Sequence, residues 1–194
     1  MKTVILVAND DEAKQLSELV FNHTYGNEVI IIITGEGRSN VIKSLTNRIK
    51  QGYIENDDRI INVGYVGSKG LKNGSVLKIN SVEPYLPSET IEESKIDMTI
   101  SKNDLESVSC YTADNFVESS DSNVIHLPSK CVIDMELYYI ALMFPNVVSY
   151  KIVSDTLNYD DYKKANFEES WNNIKTILTE EIAAWLKLKR EIIN

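Results

Sequence analysis

Basic residues are scarce in this chain. Its 20 Lys and Arg stand against 29 Asp and Glu, a formal net charge of −9. That balance speaks against nucleic acid or an anionic membrane as a main partner, because both need a basic footprint. Histidine is scarcer still. His23 and His126 have no partners at triad or metal-ligand spacing and read as structural. The two cysteines, Cys110 and Cys131, have no metal or redox spacing. They read as reduced, buried thiols in a cytoplasmic protein, with a disulfide between them as the other reading. No apolar run is long enough to span a bilayer. No basic stretch followed by an apolar segment opens the sequence, so no signal peptide is expected. Neither a GK[ST] phosphate loop nor a GxGxxG fingerprint is present, and no serine sits in a nucleophile elbow. Nothing in the pattern calls for a cofactor or a metal.

What is there is an alternation. "KTVILVA" (2–8), "EVIIIIT" (28–34), "DRIINVGYVGSKG" (58–70) and "NVVSYKIVSD" (146–155) are apolar, β-branched runs, the pattern of strands buried on both faces. "SVLKINSVEPYLP" (75–87) suggests a strand pair closed by Pro84 and Pro87, and "VSCYTADNFV" (108–117) a further strand. Between these runs lie helical patterns. One follows Asn9 as N-cap, and one carries Val41, Ile42, Leu45 and Ile49. One long amphipathic helix, from about 160 to 190, has Phe167, Trp171, Ile174, Leu178, Ile182 and Trp185 on one face. "VIDMELYYIA" (132–141) also reads as helix. Residues 88–106 are polar and read as an exposed, partly mobile excursion. The chain is long enough for one α/β domain, 1–194, around a mostly parallel or mixed sheet. In such sheets ligands bind beyond the carboxyl ends of the strands. The polar features follow that rule: Asp10–Glu12, Gly35–Arg38, Gly64–Gly67, Thr112–Phe116 and Asp155 each come just after a strand.

Three carboxylates stand out, each with two readings. Glu12, three residues after Asn9, completes a loose capping box or serves as a general base whose proton affinity Asp10 and Asp11 raise. Glu136 faces solvent, or is buried against donors such as a sugar's vicinal hydroxyls, with the Met135 thioether as a soft wall. Asp155 caps a turn or donates a proton to a ring nitrogen at the strand end.

In order along nearly the whole chain, "VANDDEA", "TGEGRSN", "RIINVGYVG", "TADNFV", "VIDMELYYIA" and "KIVSDT" resemble the nucleoside phosphorylase and nucleosidase superfamily, closest to its methylthioadenosine/S-adenosylhomocysteine nucleosidase branch. The resemblance implies a three-layer α/β/α sandwich around a mixed, mostly parallel sheet. It implies a homodimer, no cofactor, and a purine nucleosidase acting on an adenosine-type nucleoside, with a place in methionine salvage. By motif position Glu12 would activate water, and Asp155, oriented by Ser154, would be the acid near purine N7. Met135 and Glu136 would hold the ribose, Phe116 would stack on the base and the Val117 backbone would read its edge. Gly64, Tyr65 and Arg38 complete the expected contacts. Asn62 and Tyr65 stand where the phosphorylase branches carry an arginine and a phosphate-binding Ser or Thr, which favours water over phosphate as acceptor. Arg38 is the counter-argument. Further departures from the pattern are Tyr138 and Tyr139 after the Met-Glu pair, "TADNF" for a Gly-Asp, and Lys151 for an arginine. Phosphorolysis and binding without turnover are the alternatives.

Overall fold

A computed structural model describes residues 1–21, 28–85, 95–99, 101, 103–158, 160–161 and 166–193. Strand β1 (Thr3–Val7) lies between β2 (Val29–Ile33) and β3 (Arg59–Lys69), parallel to both. Further along β3, β8 (Val148–Asp155) joins in parallel and β7 (Cys131–Asp134) antiparallel. Strand β4 (Val76–Pro84) pairs antiparallel with β8 and with the short β5 (Ile96–Asp97), and parallel with β6 (Ser107–Thr112). Strand β6 in turn pairs in parallel with β7. The expected mixed sheet thus has an unforeseen feature: β3, β8, β4, β6 and β7 close into a ring.

Alternation along β1 assigns the helices to faces. Val4 and Leu6 pack in a cluster with Val41 and Leu45 of α2 (Arg38–Lys50) and Leu137 and Ile140 of α3 (Leu137–Met143). Ile5 and Val7 pack in a second cluster with Leu16 and Leu19 of α1 (Asp10–Phe21) and the apolar stripe of α4 (Glu168–Ile193). Trp171, Ile174, Leu178 and Ile182 of that stripe are at most 1% exposed. Each contributes roughly 1.5–3 kcal/mol by burial, which is why a long helix stays docked.

Four expectations need correction. "VIDMELYYIA" is not one helix: Cys131–Asp134 is strand, Met135 and Glu136 form the turn, and the helix starts at Leu137. Neighbouring strands on both sides of β7 override the helical spacing. The segment "GYVG" is no turn but the interior of β3. Residues 76–84 are a single strand, whose partner β5 lies in the polar excursion beside a buried Met98; Pro87 and residues 88–94 lie outside the described residues. The last helix starts at Glu168, with Phe167 just before it, while 162–165 lie outside the described residues. Both cysteines are free. Cys110 pairs with Val132, the neighbour of Cys131, so strand alternation turns the two thiols to opposite faces.

Candidate active site

The carboxyl ends of the parallel strands meet in a cleft of about 320 Å³. Its walls include Ala8, Asn9, Glu12 and Glu36 on one side, and Phe116, Val117, Ser154, Asp155 and Leu157 on another. Tyr65, Val66 and Gly67 line it from β3, and Ile133, Asp134, Met135 and Glu136 from β7 and the turn after it. Of the residues singled out in the sequence, Glu12, Tyr65, Phe116, Val117, Met135, Glu136, Ser154 and Asp155 are all there. Gly64 and Arg38 are not. Gly64 lies behind Glu12, and the Arg38 guanidinium sits 5.3 Å over the Tyr139 ring.

Glu12 is buried, and both of its oxygens are engaged. They accept from the Ala8 N–H at 2.7 Å and the Tyr65 N–H at 2.9 Å. The capping box forms only in half, and burial rather than Asp10 or Asp11 raises the proton affinity of Glu12. Asn9 Oδ1 caps α1 by accepting from the Glu12 N–H, but Glu12 reaches back to Ala8 rather than to the cap. Burial raises its pKa, against those N–H donors and the Lys151 charge. A Cβ on Gly64 would lie 2.8 Å from Glu12 Oε1, so the carboxylate fits only against bare backbone.

Glu136 is buried at the start of α3. It accepts from Gly37 N–H at 3.0 Å and Met135 N–H at 3.3 Å. Burial first, then the negative Asp134, push its pKa up to about 7, against Lys151 and the Gly37 N–H. Asp134 itself is saturated. Its oxygens accept from Thr112 Oγ1 (2.6 Å), Leu137 N–H (3.0 Å) and the buried Lys151 Nζ (2.9 Å). Burial alone would lower the Lys151 pKa, but Asp134 beside it holds the ammonium well above its usual range.

Asp155 ends β8. A bulge there takes Ser154 out of the β3 register, although its Oγ still donates to the Val66 carbonyl at 3.1 Å, and sets Asp155 opposite Gly67. Its Oδ2 accepts from Ser154 Oγ at 2.7 Å and its Oδ1 from Leu157 N–H at 2.9 Å. Here too the strand must be bare, because a Cβ on Gly67 would lie 3.0 Å from Asp155 Oδ1. Phe116, 41% exposed, stands on the loop after β6. Tyr139 Oη ties that loop down by donating to Asp114 at 2.8 Å.

Asn9, Glu36 and Asn115 also line the cleft, although the sequence reading gave them no ligand role. A charged residue between two glycines just after a strand was the available signal for Glu36. For a metal, the carboxylates of Glu55, Asp57 and Asp58 are the group close enough together among the described residues. They lie outside the cleft, and Asp58 is taken up by the N–H groups of Lys2 and Glu55.

Buried carboxylates held by backbone donors at strand ends, beside an exposed aromatic, make a cleft suited to a polar ring and its sugar. No protein-family model matches the chain, and no curated protein does. Solved structures do match. The H. pylori futalosine hydrolase superposes with a TM-score of 0.76 at 16% identity, covering 95% of this chain and 98% of that one. The 5'-methylthioadenosine/S-adenosylhomocysteine nucleosidase from Neisseria meningitidis, complexed with methylthio-immucillin-A, gives 0.75 at 17%, covering 94% and 100%. The H. pylori nucleosidase of that name gives 0.75 at 16%, covering 95% and 98%. The chain therefore shares the fold of these nucleosidase and futalosine hydrolase structures. Among the described residues, no helix is long and apolar enough to cross a membrane.

Proposed function

We propose that the protein is a purine nucleosidase, hydrolysing the N-glycosidic bond of an adenosine-type nucleoside on a three-layer α/β/α scaffold. One observation carries this reading: Glu12, Glu136 and Asp155, far apart in sequence, line a single cleft of about 320 Å³. That volume falls in the range of small-molecule sites.

Glu136, held by the Gly37 N–H, accepts hydrogen bonds from the two ribose hydroxyls, and the Met135 thioether covers the ring. Phe116 stacks on the base and the Val117 backbone meets its edge. As the C1′–N9 bond breaks, its electron pair leaves with the purine and Asp155 gives a proton to N7. Positive charge grows on the ribose, within reach of the buried carboxylates. Water adds its oxygen to C1′ and yields its proton to Glu12. Proton transfers of this kind supply about 10²–10⁴-fold in rate. Water is favoured over phosphate because, among the described residues, no Lys, Arg or His lines the cleft. Lys151 is taken by Asp134, and Arg38 lies over Tyr139.

Purified protein incubated with purine nucleosides, with and without phosphate, tests the proposal. Free base is expected without phosphate. Release only with phosphate would replace hydrolysis by phosphorolysis, and saturable binding without release would leave a nucleoside-binding protein. Light scattering and cell fractionation test the homodimer and the cytoplasmic location that accompany this reading.

A further inference from the structure

The cleft has two ends, and they differ in chemistry. On β3, Gly64 backs Glu12 and Gly67 backs Asp155. Three residues of strand separate these positions, roughly 10 Å at about 3.3 Å per residue. The Asp155 end is built mainly from Phe116, Val117, Ile133 and Leu157, an apolar slot for a flat base. The Glu12 end is bordered by Asn9 and the exposed Glu36. Asn9 Nδ2 donates to Glu36 Oε1 at 3.1 Å, and Asn9 Oδ1 is held by the Glu12 N–H. The glycine next to Glu36 donates to Glu136. The Asn9–Glu36 pair is thus tied through Asn9 to the Glu12 backbone, and sits next in sequence to the Gly37 N–H that holds Glu136. Among the described residues, no hydrogen bond engages the second oxygen of Glu36.

In a ribose ring C1′ and C4′ flank the ring oxygen, so a base bound at the Asp155 end sends C5′ toward the other end. Resting on the nucleosidase reading above, we propose that Glu36, steadied by Asn9, forms a polar subsite for the 5′ substituent. It selects nucleosides whose 5′ group donates hydrogen bonds, an amine or a hydroxyl. An alkylthio group brings no donor to the carboxylate. A 5′-phosphate is rejected, because the cleft is lined by Glu12, Glu36, Glu136 and Asp155, with no Lys, Arg or His among the described residues of its walls. Glu36 is a specificity-determining residue here and takes no part in bond breaking.

The test is a comparison of four compounds: 5′-amino-5′-deoxyadenosine, adenosine, 5′-methylthioadenosine and adenosine 5′-monophosphate. Base release is read as kcat/KM, and binding to the same protein by calorimetry. The expected order is amine, hydroxyl, methylthio, phosphate. The amine should exceed methylthio by about ten- to a hundredfold, the range of one charge-assisted hydrogen bond. Glu36→Gln should cut that ratio at least fivefold, and Glu36→Ile should turn it in favour of methylthio. A wild-type preference for methylthio, or a ratio that Glu36→Gln leaves unchanged, overturns the proposal. If no compound loses its base, the nucleosidase reading fails, and the calorimetric order then decides alone. Tighter binding of the amine upholds the subsite; equal binding, or none, overturns it.

Discussion

Asp134 and Glu136 stand two residues apart, at one wall of one cleft, and have opposite fates. Asp134 is saturated by a hydroxyl, an N–H and the Lys151 ammonium. Glu136 is held through backbone N–H groups alone. The first acid locks β6, β7, α3 and β8 together beneath the cleft. The second keeps lone pairs for a ligand and carries a raised pKa. Burial alone therefore does not mark a functional carboxylate. The partners decide: a buried cation makes an acid structural, and backbone donors leave it available.

The largest expected effect lies outside this pair and sets its scale. Asp155→Asn should lower base release by about 10²–10⁴-fold while circular dichroism and the melting midpoint stay close to wild type. A near wild-type rate would remove Asp155 from the chemistry.

Lys151→Met tests the structural half of the comparison. It leaves Asp134 buried without its cation and should cost about 3–5 kcal/mol in urea unfolding. Adding Asp134→Asn should recover a good part of that loss. If the double variant is no more stable than Lys151→Met, the pair is not what holds this floor together.

Glu136 tests the available half. Replacing it by Gln should weaken nucleoside binding by about 1.5–3 kcal/mol while free adenine binds as before. Its pH dependence has a definite sign. With a folded pKa of about 7 against 4.5 for the free group, the folded protein holds a proton that the unfolded chain has released between these values. Stability therefore falls as pH rises through that window, by at most about 1.4 kcal/mol per unit from this group. Unfolding of Glu136→Gln should show a shallower fall between pH 5 and 7, and an identical slope would contradict the assignment. Ribose binding should strengthen over the same range, as the carboxylate forms.

The smallest expected effect is that of Ser154→Ala. It removes one hydrogen bond to Asp155 and should cost about 1 kcal/mol, read as a several-fold fall in kcat with KM little changed.

The strand-and-helix alternation was legible because β1, β2, β3 and β8 are buried on both faces and so are continuously apolar. Eight of the residues singled out by the ordered motifs line the cleft, most of them at or just beyond the carboxyl ends of strands. What could not be read was set by partners distant in sequence. The β7 segment spaces its apolar residues like a helix and is made a strand by β3 and β6. Gly64 and Gly67 resemble a turn and are instead gaps through which Glu12 and Asp155 approach the backbone. Neither the ring closure nor the Asn9–Glu36 contact has a local signature, because each joins residues that nothing in the sequence pattern pairs.

The closed ring has a consequence in time as well as in space. Strand β8 is paired with β3 on one side, its middle, Tyr150–Ile152, is paired with β4 on the other, and every residue of it is buried. The amide protons of that middle have no edge from which local fraying can begin, so they should exchange with deuterium only when the whole molecule opens. Asp155 is the last residue of that strand, whereas Phe116 stands on a loop beyond β6. The group proposed for proton donation thus follows closely on the slowest-exchanging stretch of the sheet, and the aromatic proposed for the base stands on a loop pinned by the Tyr139–Asp114 hydrogen bond.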